Sequence, residues 1–220
     1  MNGREVKIPP SDLDGVLRTP PRPRGLVVFA HGSGSSRLSP RNIAVANALN
    51  EAGFATLLFD LLTPGEESNR ANVFDIRLLA GRLIDAIQWI ERDPALANLP
   101  LGLFGASTGA AAALSAAARL GARVAAIVSR GGRPDLAGGA LGAVRAPTLL
   151  IVGGADDVVI DLNQRALASL KTSKALKIVP GASHVFPEPG ALEAVIEHTI
   201  EWFALHLGQP ADRSTSGLGA

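Results

Sequence analysis

Six short, nearly unbroken apolar runs recur along the chain. They are GLVVFAHG at 25–32, ATLLF at 55–59, PLGLF at 100–104, VAAIV at 124–128, TLLIV at 148–152 and ALKIV at 175–179. A strand with one wet face alternates polar and apolar residues, whereas a continuous apolar run belongs to a strand covered on both faces. Between the runs lie helical patterns. Residues 40–52 carry Ile43, Ala46 and Leu49 at helical spacing, and Gly53 supplies a stop. Residues 70–92 align Val73, Ile76, Leu79, Leu83, Ile87 and Ile90 on one stripe. Residues 108–120 are mostly alanine, the strongest helix former. Residues 161–171 and 191–207 complete the set, the last with Leu192, Ile196, Ile200 and Phe203 facing a sheet. REVKI (4–8) and DGVLR (14–18) read as an opening antiparallel pair. This alternation predicts an α/β fold with a mainly parallel central sheet of about seven or eight strands and helices on both faces.

The 220 residues fit one large α/β domain, read as 1–207. A polar, Gly-rich stretch at 208–220 reads as a flexible tail. No segment is long enough for a cap domain, and 61–70 and 131–146 are the candidates for partial covers. A net charge of +1 gives no bulk attraction to nucleic acid or to an anionic membrane. No apolar run reaches the length of a membrane span. The opening MNGREVKIPP has no apolar signal region, so a cytoplasmic location is expected. The absence of cysteine excludes disulfides, thiolate metal sites and a cysteine nucleophile.

Ser107 sits in LFGASTGAAAA, where a strand pattern runs straight into a helix pattern. In such a turn the serine is forced clear of the sheet, and the residues two before and two after must be small; here they are Gly105 and Gly109. A serine nucleophile needs a base, and the base needs an orienting carboxylate. Of the histidines after Ser107, His198 and His206 fall in the last helix pattern, while His184 lies in the loop after the final strand. Asp156 and Asp157 follow Gly153–Gly154 at the end of another strand, and either could orient an imidazole. The loop after 25–32 reads HGSGSS; Gly32 and Gly34 allow backbone to approach a substrate closely, and the N–H groups of Ser33 and Thr108 are the expected oxyanion donors. His31 reads as a loop-stabilising residue. Phe186 is placed to line a pocket or, equally, to join the core. Arg37, Arg41, Arg130 and Arg133 all fall at strand ends or helix starts near these loops, where some could bind an anionic part of a substrate.

In order and position these pieces resemble the α/β-hydrolase superfamily, and within it the small lidless dienelactone hydrolase-like esterases, over about 25–207. The acid motif of such proteins, G-x-x-D-x-V-V, maps onto Gly153, Asp156, Val158 and Val159, which favours Asp156 over Asp157. The resemblance implies a Ser107–His184–Asp156 triad. Dienelactone hydrolases proper use a cysteine nucleophile; with serine in its place, ordinary short-acyl carboxylic esters are the expected substrates. A thioesterase or lactonase on the same triad is the alternative, and a non-catalytic binding protein of the same fold the remoter one. No cofactor or metal is required. The expected partner is a small ester, with no nucleic acid and no membrane, on a monomer or small homo-oligomer.

Overall fold

The computed structural model describes residues 3–208. Its elements in chain order are β1 (Arg4–Ile8), β2 (Leu13–Arg18), β3 (Leu26–Ala30), α1 (Pro40–Glu51), β4 (Ala55–Phe59), α2 (Pro64–Glu67), α3 (Arg70–Val73), α4 (Ile76–Ile90), β5 (Leu101–Ala106), α5 (Thr108–Leu120), β6 (Val124–Arg130), β7 (Thr148–Gly153), α6 (Asp157–Ser169), β8 (Lys174–Val179) and α7 (Ala191–His206). The eight strands form one sheet in the order β1-β2-β4-β3-β5-β6-β7-β8. The β1–β2 and β2–β4 pairs are antiparallel and every other pair is parallel. The predicted tail falls, from residue 209 on, outside the described residues.

The continuous apolar runs are explained by two cores, one on each side of the sheet. Leu26, Val28 and Leu103 point into a cluster with Leu83 and Ile87 of α4 and the alanines of α5. Val27, Phe29 and Phe104 point into the other, with Leu49 of α1 and Phe203 of α7. β8 is the exception: as an edge strand it keeps Lys174, Lys177 and Ile178 exposed. No helix among the described residues is long and apolar enough to cross a membrane.

Two helix expectations change. The 70–92 pattern splits, because Asp75 Oδ1 accepts the N–H of Leu78 at 3.0 Å and starts α4 as a new helix. A side-chain cap of this kind competes with continuing the helix through the same residue. In α7 the fully buried ridge is Ala191, Val195, Thr199 and Phe203; Leu192, Ile196 and Ile200 flank it, partly exposed.

Strand order reverses at β3, whose neighbours are β4 on one side and β5 on the other. Open α/β sheets bind ligands beyond the carboxyl ends of strands at such a point. The backbones there are in near contact. A Cβ on Gly109 would lie 2.2 Å from the Ala30 carbonyl oxygen, and one on Gly105 would lie 2.4 Å from Ala110 Cα. Gly109→Ala is therefore expected to lower the unfolding free energy by about 1–3 kcal/mol, the range typical of overpacking, measured by urea denaturation. Unchanged stability would show that the β3–α5 contact is soft.

Candidate active site

Ser107 joins β5 to α5 with φ 51° and ψ −122°, a left-handed conformation that non-glycine residues rarely hold. Neighbouring backbone holds it there. Its N–H donates to the Arg130 carbonyl at 3.2 Å, and its own carbonyl accepts from Ala110 N at 3.1 Å and Arg133 N at 3.0 Å. Gly32 lies against it, where a Cβ would sit 2.9 Å from Ser107 Cβ. The first turn of α5 has no side-chain cap, so its free N–H groups gather beside the serine.

His184 and Asp156 are brought together from loops 28 residues apart, with His184 Nδ1 2.7 Å from Asp156 Oδ2. Glycine makes this possible. Gly154 N donates to Val179 O at 2.7 Å and Ala155 N to Ala182 O at 2.9 Å, so the two loops run side by side. A Cβ on Gly153 would be 2.3 Å from the Ala182 carbonyl oxygen. Asp157, which the sequence left as an alternative, is exposed in the first turn of α6. The His184 loop in turn reaches the nucleophile loop: its carbonyl oxygen lies 2.7 Å from where a Gly131 Cβ would be, one residue past the carbonyl that holds Ser107 N. The imidazole is 40% exposed and Asp156 18%, so the ring faces solvent over a shielded carboxylate. Among the described residues Ser107 Oγ makes no hydrogen bond with His184; the structure joins Asp156 to His184 and leaves His184 and Ser107 unbonded.

The loop after β3 is fixed by two histidine contacts. His31 Nε2 accepts the N–H of Leu61 at 3.0 Å, and Nδ1 donates to the Gly32 carbonyl at 3.0 Å. This is the loop-stabilising role expected of it. Burial, opposed only in part by the Gly32 carbonyl, holds its pKa below the ordinary value. The Ser33 N–H is engaged: it donates to Thr108 Oγ1 at 2.9 Å. Sequence reasoning counted this N–H as a free donor, and the Thr108 hydroxyl is what it missed.

Gly32, Ser33, Gly34, Arg37 and Thr108 line a cavity of about 140 Å³; Ser107, Asp156 and His184 do not line it, and it adjoins the serine through Gly32 and Thr108. Its far wall comes from Leu61, Leu62 and Val73, so the 61–70 segment does form a partial cover. That cover is stapled down by Glu66, which caps α2 with Thr63 and pairs with Arg82 of α4. Arg37 pairs with Asp60 through both its guanidinium and its backbone N–H, the latter at 2.7 Å. Phe186 needs correction. It is 2% exposed, packs in the α1/α7 core and does not line the cavity, because its ring points down beside Gly131. Arg130 is also buried and lies away from this cavity, reaching Asn42 of α1. Among the described residues no group of three or more His, Asp or Glu is placed to hold a metal ion.

A family model for the alpha/beta hydrolase fold matches residues 25–138, more than half of the chain. The chain belongs to the α/β-hydrolase family. A dienelactone hydrolase from Anabaena variabilis is 53% identical and superposes with a TM-score of 0.89, covering 94% of this chain and 100% of that one. At 19% identity, a monoacylglycerol lipase from Paleococcus ferrophilus shares the hydrolase fold with a TM-score of 0.72, over 88% of this chain and 99% of that one. A Mycobacterium tuberculosis protein named as a phosphoribosyl transferase is 61% identical over 206 residues, 94% of this chain. This hydrolase-family chain spans 46% of that relative's length. The fold and the dienelactone hydrolase-like membership agree with the resemblance read from the sequence, and together they support a hydrolase.

The lowered pKa of His31 sets a pH dependence. Unfolded, the ring titrates near its ordinary value of about 6.5; folded, it stays neutral to lower pH. The unfolded state thus binds more protons in that window, so the stabilisation is complete above about pH 6.5 and is lost as pH falls through the folded value. Unfolding free energy measured against pH should drop below 6.5, and His31→Gln should flatten that drop. An unchanged slope in the variant would show that His31 is not its source.

Proposed function

We propose that the chain is a serine carboxylic-ester hydrolase for small, short-acyl esters. The observation that carries this reading is the His184 Nδ1–Asp156 Oδ2 contact at 2.7 Å, made beside a serine held at positive φ. With Nδ1–H given to Asp156, the imidazole's Nε2 is left with a lone pair to accept a proton. Ser107 Oγ attacks the ester carbonyl carbon as its proton passes to His184 Nε2. Asp156 holds the tautomer and stabilises the imidazolium. The carbonyl oxygen, now negative, accepts from the N–H of Thr108 at the start of α5 and from Ser33 N–H, which exchanges the Thr108 hydroxyl for the oxyanion. Collapse expels the alcohol, which takes its proton from His184. Water, deprotonated by the same nitrogen, then attacks the acyl-enzyme and frees Ser107.

Substrate size follows from the cavity. About 140 Å³ with apolar walls at Leu61, Leu62 and Val73 suits a short acyl group. A second reading is lactone hydrolysis on the same residues, favoured by the 53% identity to the Anabaena variabilis dienelactone hydrolase. The transferase name belongs to a protein of which this chain matches 46%, and the hydrolase reading concerns that matched part.

A fluorophosphonate probe should label the wild type and not Ser107→Ala. On p-nitrophenyl esters of increasing chain length, kcat/KM should fall beyond about butyrate. Ser107→Ala or His184→Ala should lower kcat by about 10³-fold or more, and Asp156→Asn by a comparable factor. Asp157→Asn should stay within about threefold of wild type, as expected for an exposed carboxylate that serves only its helix N-terminus. No labelling and no hydrolysis in the wild type would end this reading.

A further inference from the structure

The arginines near the site fall into two kinds. Arg37 is neutralised by Asp60, and Arg133 by Asp135 in a two-pronged pair at 2.9 and 2.8 Å. Arg41 and Arg130 have no carboxylate within ion-pair distance among the described residues. Arg130 is only 7% exposed. It is the last residue of β6, and its side chain crosses to the first turn of α1, where Nη2 donates to Asn42 Oδ1 at 3.2 Å. The Nε of Arg130 and the Nε of Arg41 are both buried without a partner. Burial first, and the charge of Arg41 second, push the Arg130 pKa down to about 10.

A buried guanidinium without a counter-charge is costly, and a second cation beside it raises the cost. The 12-residue helix α1 adds the positive end of its dipole at the same place, although Pro40 has no N–H to give and the Asn42 N–H already donates to the Ser39 hydroxyl at 3.4 Å, so the unused side-chain donors there are those of the two guanidinium groups. Three sources of positive potential thus meet with unused donors among them, the arrangement an oxyanion accepts from. The location ties the cluster to the serine. The Arg130 carbonyl holds Ser107 N, Gly131 lies under the His184 carbonyl, and Ser39–Asn42 continue the loop that begins at Gly32.

We infer that Arg41, Arg130 and the first turn of α1 form a subsite for a compact oxyanion, a carboxylate or a phosphate, carried by the molecule that Ser107 attacks. The word "attacks" rests on the hydrolase reading; the anion subsite does not. In this arrangement the acyl group enters the small cavity on the β4 side while the charged end lies toward α1.

Calorimetric titration separates the two claims, because it needs no turnover. Succinate and inorganic phosphate are titrated into Ser107→Ala, and into the same protein carrying Arg41→Gln or Arg130→Met. Saturable binding is expected, weakened by about tenfold or more by each arginine change, the usual worth of a charge-assisted hydrogen bond. Binding of succinate alone assigns a carboxylate, and binding of phosphate alone a phosphate ester. In parallel, the ratio of kcat/KM for monomethyl succinate over methyl butyrate should fall by about tenfold in both variants made on the wild-type background. If Arg130→Met fails to fold, Arg41→Gln, whose side chain is partly exposed, carries the test. No saturable binding, or equal binding with and without the arginines, overturns the subsite. Anion binding that survives alongside an inert wild type overturns the hydrolase reading and leaves the subsite standing.

Discussion

The structure depends on a place with room for backbone only. Where β5 turns into α5, the helix lies so close to β3 and β5 that no side chain fits at Gly105 or Gly109. The chain turns there through a residue at positive φ, Ser107. A serine in this conformation is costly, and it persists because the surrounding hydrogen bonds over-determine it. The same closeness brings the Gly32 loop onto the serine and the Arg130 carbonyl onto its N–H. Backbone contacts and hydrogen bonds made by neighbouring segments hold the serine at this turn.

A second close approach does the same for the other half of the site. Gly153 and Gly154 allow the loop after β7 to lie against the loop after β8, so the Asp156 carboxylate meets the His184 ring. The two halves touch where the His184 carbonyl covers Gly131. Each functional group in the hydrolase-family site therefore sits on a loop whose own backbone is pinned by a glycine contact. This explains how a site built from loops can be ordered without a disulfide; the chain has no cysteine.

The two histidines of these loops differ in environment. His31, buried and bonded at both nitrogens, is kept neutral and connects the β3 and β4 loops. His184 has one nitrogen bound to a carboxylate and its ring partly exposed. The arginines divide in the same way. Near the site, Arg37 and Arg133 each have a carboxylate neighbour, whereas Arg41 and Arg130 have none among the described residues and each keeps a buried Nε without a partner.

The sequence by itself determined the sheet, the strand-to-helix turn and the loops that hold Asp156 and His184. These depend on local pattern: continuous apolar runs, helical spacing, and small residues on either side of Ser107. What tertiary structure decided was pairing. Only packing shows that Asp156 and not Asp157 faces His184, that Phe186 belongs to the core, and that the Thr108 hydroxyl takes the Ser33 N–H. Asp60 neutralises Arg37 from 23 residues away, and Asn42 meets Arg130 from 88, distances no local pattern spans. The physical reason is that propensity and periodicity act over a few residues, whereas charge and hydrogen-bond partners are chosen by whatever folding brings within about 3 Å.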